Sequence, residues 1–162
     1  MKTMPSLNKP IILFDIDYTL FNTALFKQSN RRQFELYPEV MDVLTNLSRI
    51  AILGIFSEGN QELQNKKLEE TRIDHFFSKD HIHIMPLKQE VKEISDKYHD
   101  ARIFLVDDKL LALRLMKKAL ANIKTIWIKR GEYAKKISSL PDFTPDASLD
   151  NLSGLIPLVI NK

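Results

Sequence analysis

Short, unbroken apolar runs alternate along the chain with longer stretches in which apolar residues recur every three or four positions. Pro10-Ile-Ile-Leu-Phe14 is short, continuous and opened by a proline, the pattern of a buried strand. Val40, Val43, Leu44, Leu47 and Ile50 then fall at helical spacing and predict a helix over 39–50. Ala51 to Phe56 predicts a second buried strand, with Glu58-Gly59-Asn60 as the loop after it. Residues 61–71 are charged, with Leu63 and Leu68 as their only large apolar groups, and predict a poorly anchored surface helix. His81-Ile-His-Ile-Met85 alternates and predicts a third, less buried strand ended by Pro86. Val91, Ile94 and Tyr98 mark a helix over 88–99, and Arg102 to Val106 is the fourth strand. Leu, Ala and Lys dominate 109–121, which predicts another helix. Ile123 to Ile128 is the fifth strand, stopped near Gly131. A looser stretch with Pro141 and Pro145 leads to a terminal helix near 151–160.

Strands that are apolar throughout and separated by helices describe a parallel sheet covered on both faces. The expected architecture is a three-layer, doubly wound, Rossmann-like α/β domain over residues 1–162. Composition narrows the chemistry more than the fold. At 44% hydrophobic residues the chain has the material for a core and is not a disordered segment. The absence of Cys excludes disulfides, thiolate zinc sites, iron–sulfur clusters and cysteine nucleophiles. A net charge of +3 is too mild to argue for nucleic acid or a membrane surface. The first apolar run is ended by Asp15, so neither a secretory signal nor a spanning helix is expected, and a cytoplasmic protein is the default.

Open parallel sheets bind ligands at the carboxyl ends of their strands. Strand one ends in Asp15-Ile-Asp17-Tyr-Thr19, strand two in Ser57, and strand four in Asp107-Asp108, while Lys88 follows strand three. Four carboxylates, a hydroxyl and an ammonium are thus expected on one rim. Carboxylates at close quarters repel, and a hard divalent cation relieves that repulsion. Oxygen-only ligands point to Mg²⁺ rather than zinc, and Mg²⁺ commonly binds substrate phosphates. Ser57 and Lys88 would then serve the phosphate, one as a hydrogen-bond donor and one as a positive charge.

In this order the four endings resemble the motifs of the haloacid dehalogenase-like hydrolases, and the resemblance spans nearly the whole chain. It implies a phosphoaspartate mechanism, with Asp15 as nucleophile and Asp17 as general acid and then base. It also implies Mg²⁺ held by the Asp15 carboxylate, the Asp17 main-chain carbonyl and Asp107, with Asp108 direct or through water. Thr19 would brace the loop, and Ser57 and Lys88 would hold the phosphoryl group. An acid at position 17 favours phosphoester chemistry, since halide leaves without a proton. The family's lysine is often followed by proline; here Gln89 follows Lys88, which leaves Lys79 as a poorer alternative.

Members of that family usually enclose substrate beneath an inserted cap. Only residues 21–36 fill the first insertion point, and one helix and one strand fill the second, so the chain is expected to be essentially capless. Capless relatives tend to act on large phosphorylated partners or to borrow a lid from a second copy in a homo-oligomer; the substrate expected here is a phosphorylated small molecule or a phosphoprotein. Phe21, Phe26, Phe34 and Tyr37 either rim the substrate or, more simply, pack a helix onto the sheet. His81 and His83 share one strand face, better explained by an exposed edge than by a metal. The basic run from Lys117 to Lys136 reads as solvated surface, with Lys129 and Arg130 placed where an anionic substrate could meet them. A non-catalytic phosphate-binding protein on the same scaffold is the rival to a phosphatase. A receiver-type switch is rejected, because its phosphoacceptor Asp would follow strand three.

Overall fold

A computed structural model of the chain describes residues 8–87 and 91–161. Six strands form one sheet: β1 (Ile11–Phe14), β2 (Ile52–Glu58), β3 (Phe77–Met85), β4 (Ile103–Asp107), β5 (Lys124–Ile128) and β6 (Ala147–Leu149). All neighbours are parallel, in the order β3-β2-β1-β4-β5-β6. The chain therefore leaves β1 toward one edge, returns, and builds outward on the other side. That reversal opens a crevice at the carboxyl end of β1.

Seven helices accompany the strands: α1 (Thr23–Gln28), α2 (Val40–Leu47), α3 (Gln61–Glu70), α4 (Lys92–Tyr98), α5 (Leu110–Ala119), α6 (Gly131–Lys136) and α7 (Leu155–Ile160). β1 and the first four residues of β4 are apolar throughout, yet successive residues serve opposite layers. Ile12 and Phe14 pack with Val40, Leu44 and Leu47 of α2 and with Leu155 and Val159 of α7. Leu13 and Leu105 pack with Ile94 and Tyr98 of α4 and with Leu113 and Met116 of α5. These two cores realise the expected three-layer, doubly wound parallel fold, and among the described residues no cap interrupts it. Residues 21–36 supply only the short helix α1 and a turn. Among the described residues, no helix is long and apolar enough to cross a membrane.

Three features depart from expectation. Strand β3 begins at Phe77, four residues before the predicted start, and its register against β2 shifts between Leu53 and Ile55. Gly54 lies at that shift because any Cβ there would stand 2.4 Å from the His81 carbonyl oxygen. Helix α6 and strand β6 fall within the stretch read as loose. Gly131, taken as a stop, instead starts α6 with φ +84°, and a Cβ there would meet the Tyr18 ring at 2.5 Å. His81 and His83 do not face open solvent: both half-buried rings hydrogen-bond the hydroxyl of buried Tyr98, at 2.8 and 2.7 Å.

Candidate active site

Asp15 follows β1 directly, Ser57 lies near the end of β2, and Asp107 ends β4 with Asp108 next to it. Pairing of β1 with β2 and β4 brings these ends side by side. Asp15, Asp107 and Asp108 each offer a carboxylate oxygen within 4.8 Å of the others, and all three side chains are buried. Carboxylate oxygens that close together form an all-oxygen donor set, which suits a hard cation. These residues can hold a metal. Their own settings are fixed by neighbours: Asp107 accepts from the Lys109 amide at 2.9 Å, and the Asp108 carbonyl accepts from the Trp127 indole at 2.9 Å. The buried Thr19 hydroxyl reaches Asp108 Oδ1 at 3.5 Å, the outer limit of a hydrogen bond.

The Asp17 carboxylate turns toward α3 instead. It accepts from Lys67 Nζ at 2.7 Å, Gln64 Nε2 at 2.9 Å and Thr23 Oγ1 at 2.9 Å. Burial pushes the Asp17 carboxyl up, but the Lys67 ammonium and these three hydrogen bonds outweigh it and hold the group below the usual carboxylate range. Asp17 is therefore ionised at neutral pH. Gln64 Nε2 also donates to Ser57 Oγ at 2.9 Å, so one amide ties the hydroxyl of β2 to the second acid after β1. The carboxylate only accepts, which obliges Gln64 to present its NH₂.

Asp17, Tyr18, Glu58, Lys67, Lys109 and Tyr133 help line a cavity of about 260 Å³ on this rim. A larger cavity of about 720 Å³ opens elsewhere, lined by Pro10, Arg102 and Lys124, and contains none of Asp15, Asp17, Asp107 or Asp108. The smaller cavity includes Asp17 in its lining, together with Glu58 and Lys109, the chain neighbours of Ser57 and Asp108.

Solved structures with this arrangement of strands and helices are numerous. A Burkholderia xenovorans protein described as a haloacid dehalogenase-like hydrolase superposes with a TM-score of 0.73 at 20% identity, over 93% of this chain and 96% of that one. The fold is that of the haloacid dehalogenase-like hydrolases. YfnB of Bacillus subtilis, described as a hydrolase of the same group and bound to magnesium, matches with a TM-score of 0.70 at 14% identity, over 94% of this chain and 99% of that chain. A 2-haloacid dehalogenase of Pseudomonas syringae matches with a TM-score of 0.64 at 14% identity, over 94% and 98% of the two chains. No protein-family model and no curated protein matches the sequence.

Within this haloacid dehalogenase-like fold, the sequence-derived residues are distributed unevenly. Asp15, Asp107 and Asp108 converge, while the Asp17 side chain turns to Lys67 and is tied to Ser57 through Gln64. Lys88 lies outside the described residues. The alternative, Lys79, is exposed in the first half of β3, toward the strand end that faces away from the rim. Arg130 is not available to a substrate. Its guanidinium donates to the carbonyls of Tyr18 and Thr19, pairs with Glu39 and stacks 3.6 Å above the Tyr37 ring. It clamps the acidic loop from beneath. Lys129 pairs with Asp150 at 3.7 Å. Phe21, Phe26 and Phe34 pack against one another, Phe26 edge-on to both of the others, which is the simpler of their two readings.

The sequence reading missed Gln64, Lys67 and Thr23. Helix α3 is not poorly anchored: Gln64, Lys67 and Leu68 are all buried. Their i, i+3, i+4 spacing was the available signal. A search for apolar residues alone passes over it, because two of the three positions are polar.

Proposed function

We propose that the chain is a hydrolase that cleaves phosphate monoesters with Mg²⁺, through an aspartyl-phosphate on Asp15. The observation that carries this reading is the meeting of three buried carboxylates from two strand ends, beside a fourth held as an anion. Asp15, Asp107 and Asp108, with the Asp17 main-chain carbonyl, would hold the metal. Bound there, Mg²⁺ would offset the carboxylate charge and that of the phosphoryl oxygens facing it.

In the first half-reaction an Asp15 oxygen attacks phosphorus and the bond to the leaving oxygen breaks. In the second, Asp17 takes a proton from water as that water attacks the phosphorus of the aspartyl-phosphate, which frees Asp15 and releases phosphate. The ionised state of Asp17 suits this second step. Its protonated form would serve the first, by donating to an alkoxide leaving group; a weakly basic leaving group departs without that help. Halide needs no proton at all, so an acid at position 17 supports ester chemistry over dehalogenation. Ser57 and Lys88 would bind the phosphoryl oxygens, and Lys67, which lines a cavity with Asp17, adds positive charge.

The test is hydrolysis of p-nitrophenyl phosphate by the purified chain, with Mg²⁺ and with EDTA. Turnover should require the metal and disappear in Asp15→Asn. Tight phosphate binding without turnover on a broad ester panel would instead support a binding protein, and persistent turnover by Asp15→Asn would remove Asp15 as nucleophile.

A further inference from the structure

The cavity on the acidic rim is lined by more positive charge than one phosphoryl group uses. Lys27, Arg31, Lys67 and Lys109 all border it, against the carboxylates of Asp17 and Glu58. Lys67 is committed to Asp17, and Lys27 to Glu132 at 2.9 Å on the surface. Arg31 and Lys109 make no ion pair among the described residues. Lys109 Nζ instead rests 4.2 Å from the centre of the Tyr133 ring, and Lys27 Nζ lies 5.5 Å from that of Tyr18. The two tyrosines meet edge-on with centroids 5.9 Å apart, so the lysines bracket an aromatic pair at the cavity wall.

Arg31 reaches this wall by an unusual route. Asn30 and Arg31 are both left-handed, with φ of 57° and 63°, a conformation Asn tolerates and Arg rarely adopts. The turn is held by the Arg31 amide on the Phe26 carbonyl at 2.7 Å and by Ser29 Oγ, which accepts from the amides of Arg32 and Gln33. This turn belongs to the short segment that stands where a cap would be inserted. It brings a guanidinium to the cavity without enclosing it.

Building on the hydrolase reading above, we infer that the cavity mouth is a second anion subsite, and that the substrate is a small phosphomonoester whose leaving group carries a further anionic group. Arg31 and Lys109 receive that group, while Asp15 faces the phosphorus. A volume of about 260 Å³ is near the small end of small-molecule sites. A carboxylate and a second phosphate share the chemistry the subsite recognises.

The experiment compares 3-phosphoglycerate with glycerol 3-phosphate, which differ in one carboxylate, and fructose 1,6-bisphosphate with fructose 6-phosphate, which differ in one phosphate. Wild type should favour the more anionic member of at least one pair by about tenfold in kcat/KM; the pair that responds identifies the anion. The ratio should fall toward one in Arg31→Gln/Lys109→Gln, and in wild type as KCl is raised. Calorimetric binding of the same four compounds to Asp15→Asn reads the preference without turnover. Ratios near one in both hydrolysis and binding overturn the subsite while leaving the hydrolase standing, as does a preference that survives the double substitution. No turnover of these four compounds or of p-nitrophenyl phosphate overturns the hydrolase, and the calorimetric ratio then decides the subsite by itself.

Discussion

Replacing Lys67 with methionine keeps most of the side-chain volume and removes the charge that faces Asp17. The Lys67 side chain is 6% exposed, its Nζ lies 2.7 Å from Asp17 Oδ1, and the rings of Phe21 and Phe26 stand 5.2 and 5.4 Å away. At an effective dielectric near 20, unit charges at that separation attract by about 6 kcal/mol. Desolvation of the ammonium cancels much of this, and removing one partner of a buried pair typically costs about 3–5 kcal/mol. Asp17 keeps 27% of its side chain exposed, so water recovers part of the loss. The expected destabilisation is about 2–3 kcal/mol, or roughly 5–10 °C in Tm for a chain of this size. A double-mutant cycle with Asp17→Asn, followed by urea unfolding in EDTA, isolates the pair. Asp17→Asn should cost about 2 kcal/mol less in the Lys67→Met background than in wild type. Additive effects, with coupling below about 0.5 kcal/mol, would refute the claim that α3 is anchored through its charge rather than through Leu68 alone.

Two further outcomes follow from the β3 edge. Burial, reinforced by Lys97 and His81, holds the His83 imidazole down at about 4 against its ordinary 6.5. The unfolded chain therefore takes up a proton below about pH 6.5 while the folded chain resists until about pH 4, so stability falls with pH across that window and levels below it. Halved for the ring's part exposure, the loss is about 1–2 kcal/mol. It should be missing from the pH dependence of unfolding in His83→Gln, and an unchanged slope in that variant would contradict the assignment. Gly54→Ala places a methyl 2.4 Å from the His81 carbonyl oxygen, in backbone that cannot step aside without parting β2 from β3. Denaturant unfolding should show a loss of at least about 2 kcal/mol, and a loss under about 0.5 kcal/mol would mean that β3 is not held at this register.

Much of the layout was legible because apolar runs report burial directly. The five strands expected from the pattern are all present: β1, β2, β4 and β5 show as apolar runs because both faces of the sheet are covered there, and the edge strand β3 shows by alternation. Strand β6 escaped because it is three residues long at the sheet edge, with Ser148 exposed and Ala147 and Leu149 only partly buried. Helix α6 escaped because Gly131 reads as a terminator, whereas its positive φ serves the entry to the helix against the Tyr18 ring. The extension of β3 back to Phe77 escaped because Ser78, Lys79 and Asp80 are exposed and polar.

For the site, the division follows the range of the interactions. Local pattern determined which residues end each strand, and parallel topology then obliges Asp15, Ser57 and Asp107-Asp108 to share a rim. Which way each side chain turns depends on partners far along the chain, and no local spacing encodes that. Only the packed structure turned the Asp17 carboxylate to Lys67, 50 positions away, tied Ser57 to it through Gln64, and committed Arg130 to carbonyls more than 100 positions distant. Buried charges and polar groups must find partners wherever the fold provides them, and those partners are chosen in three dimensions.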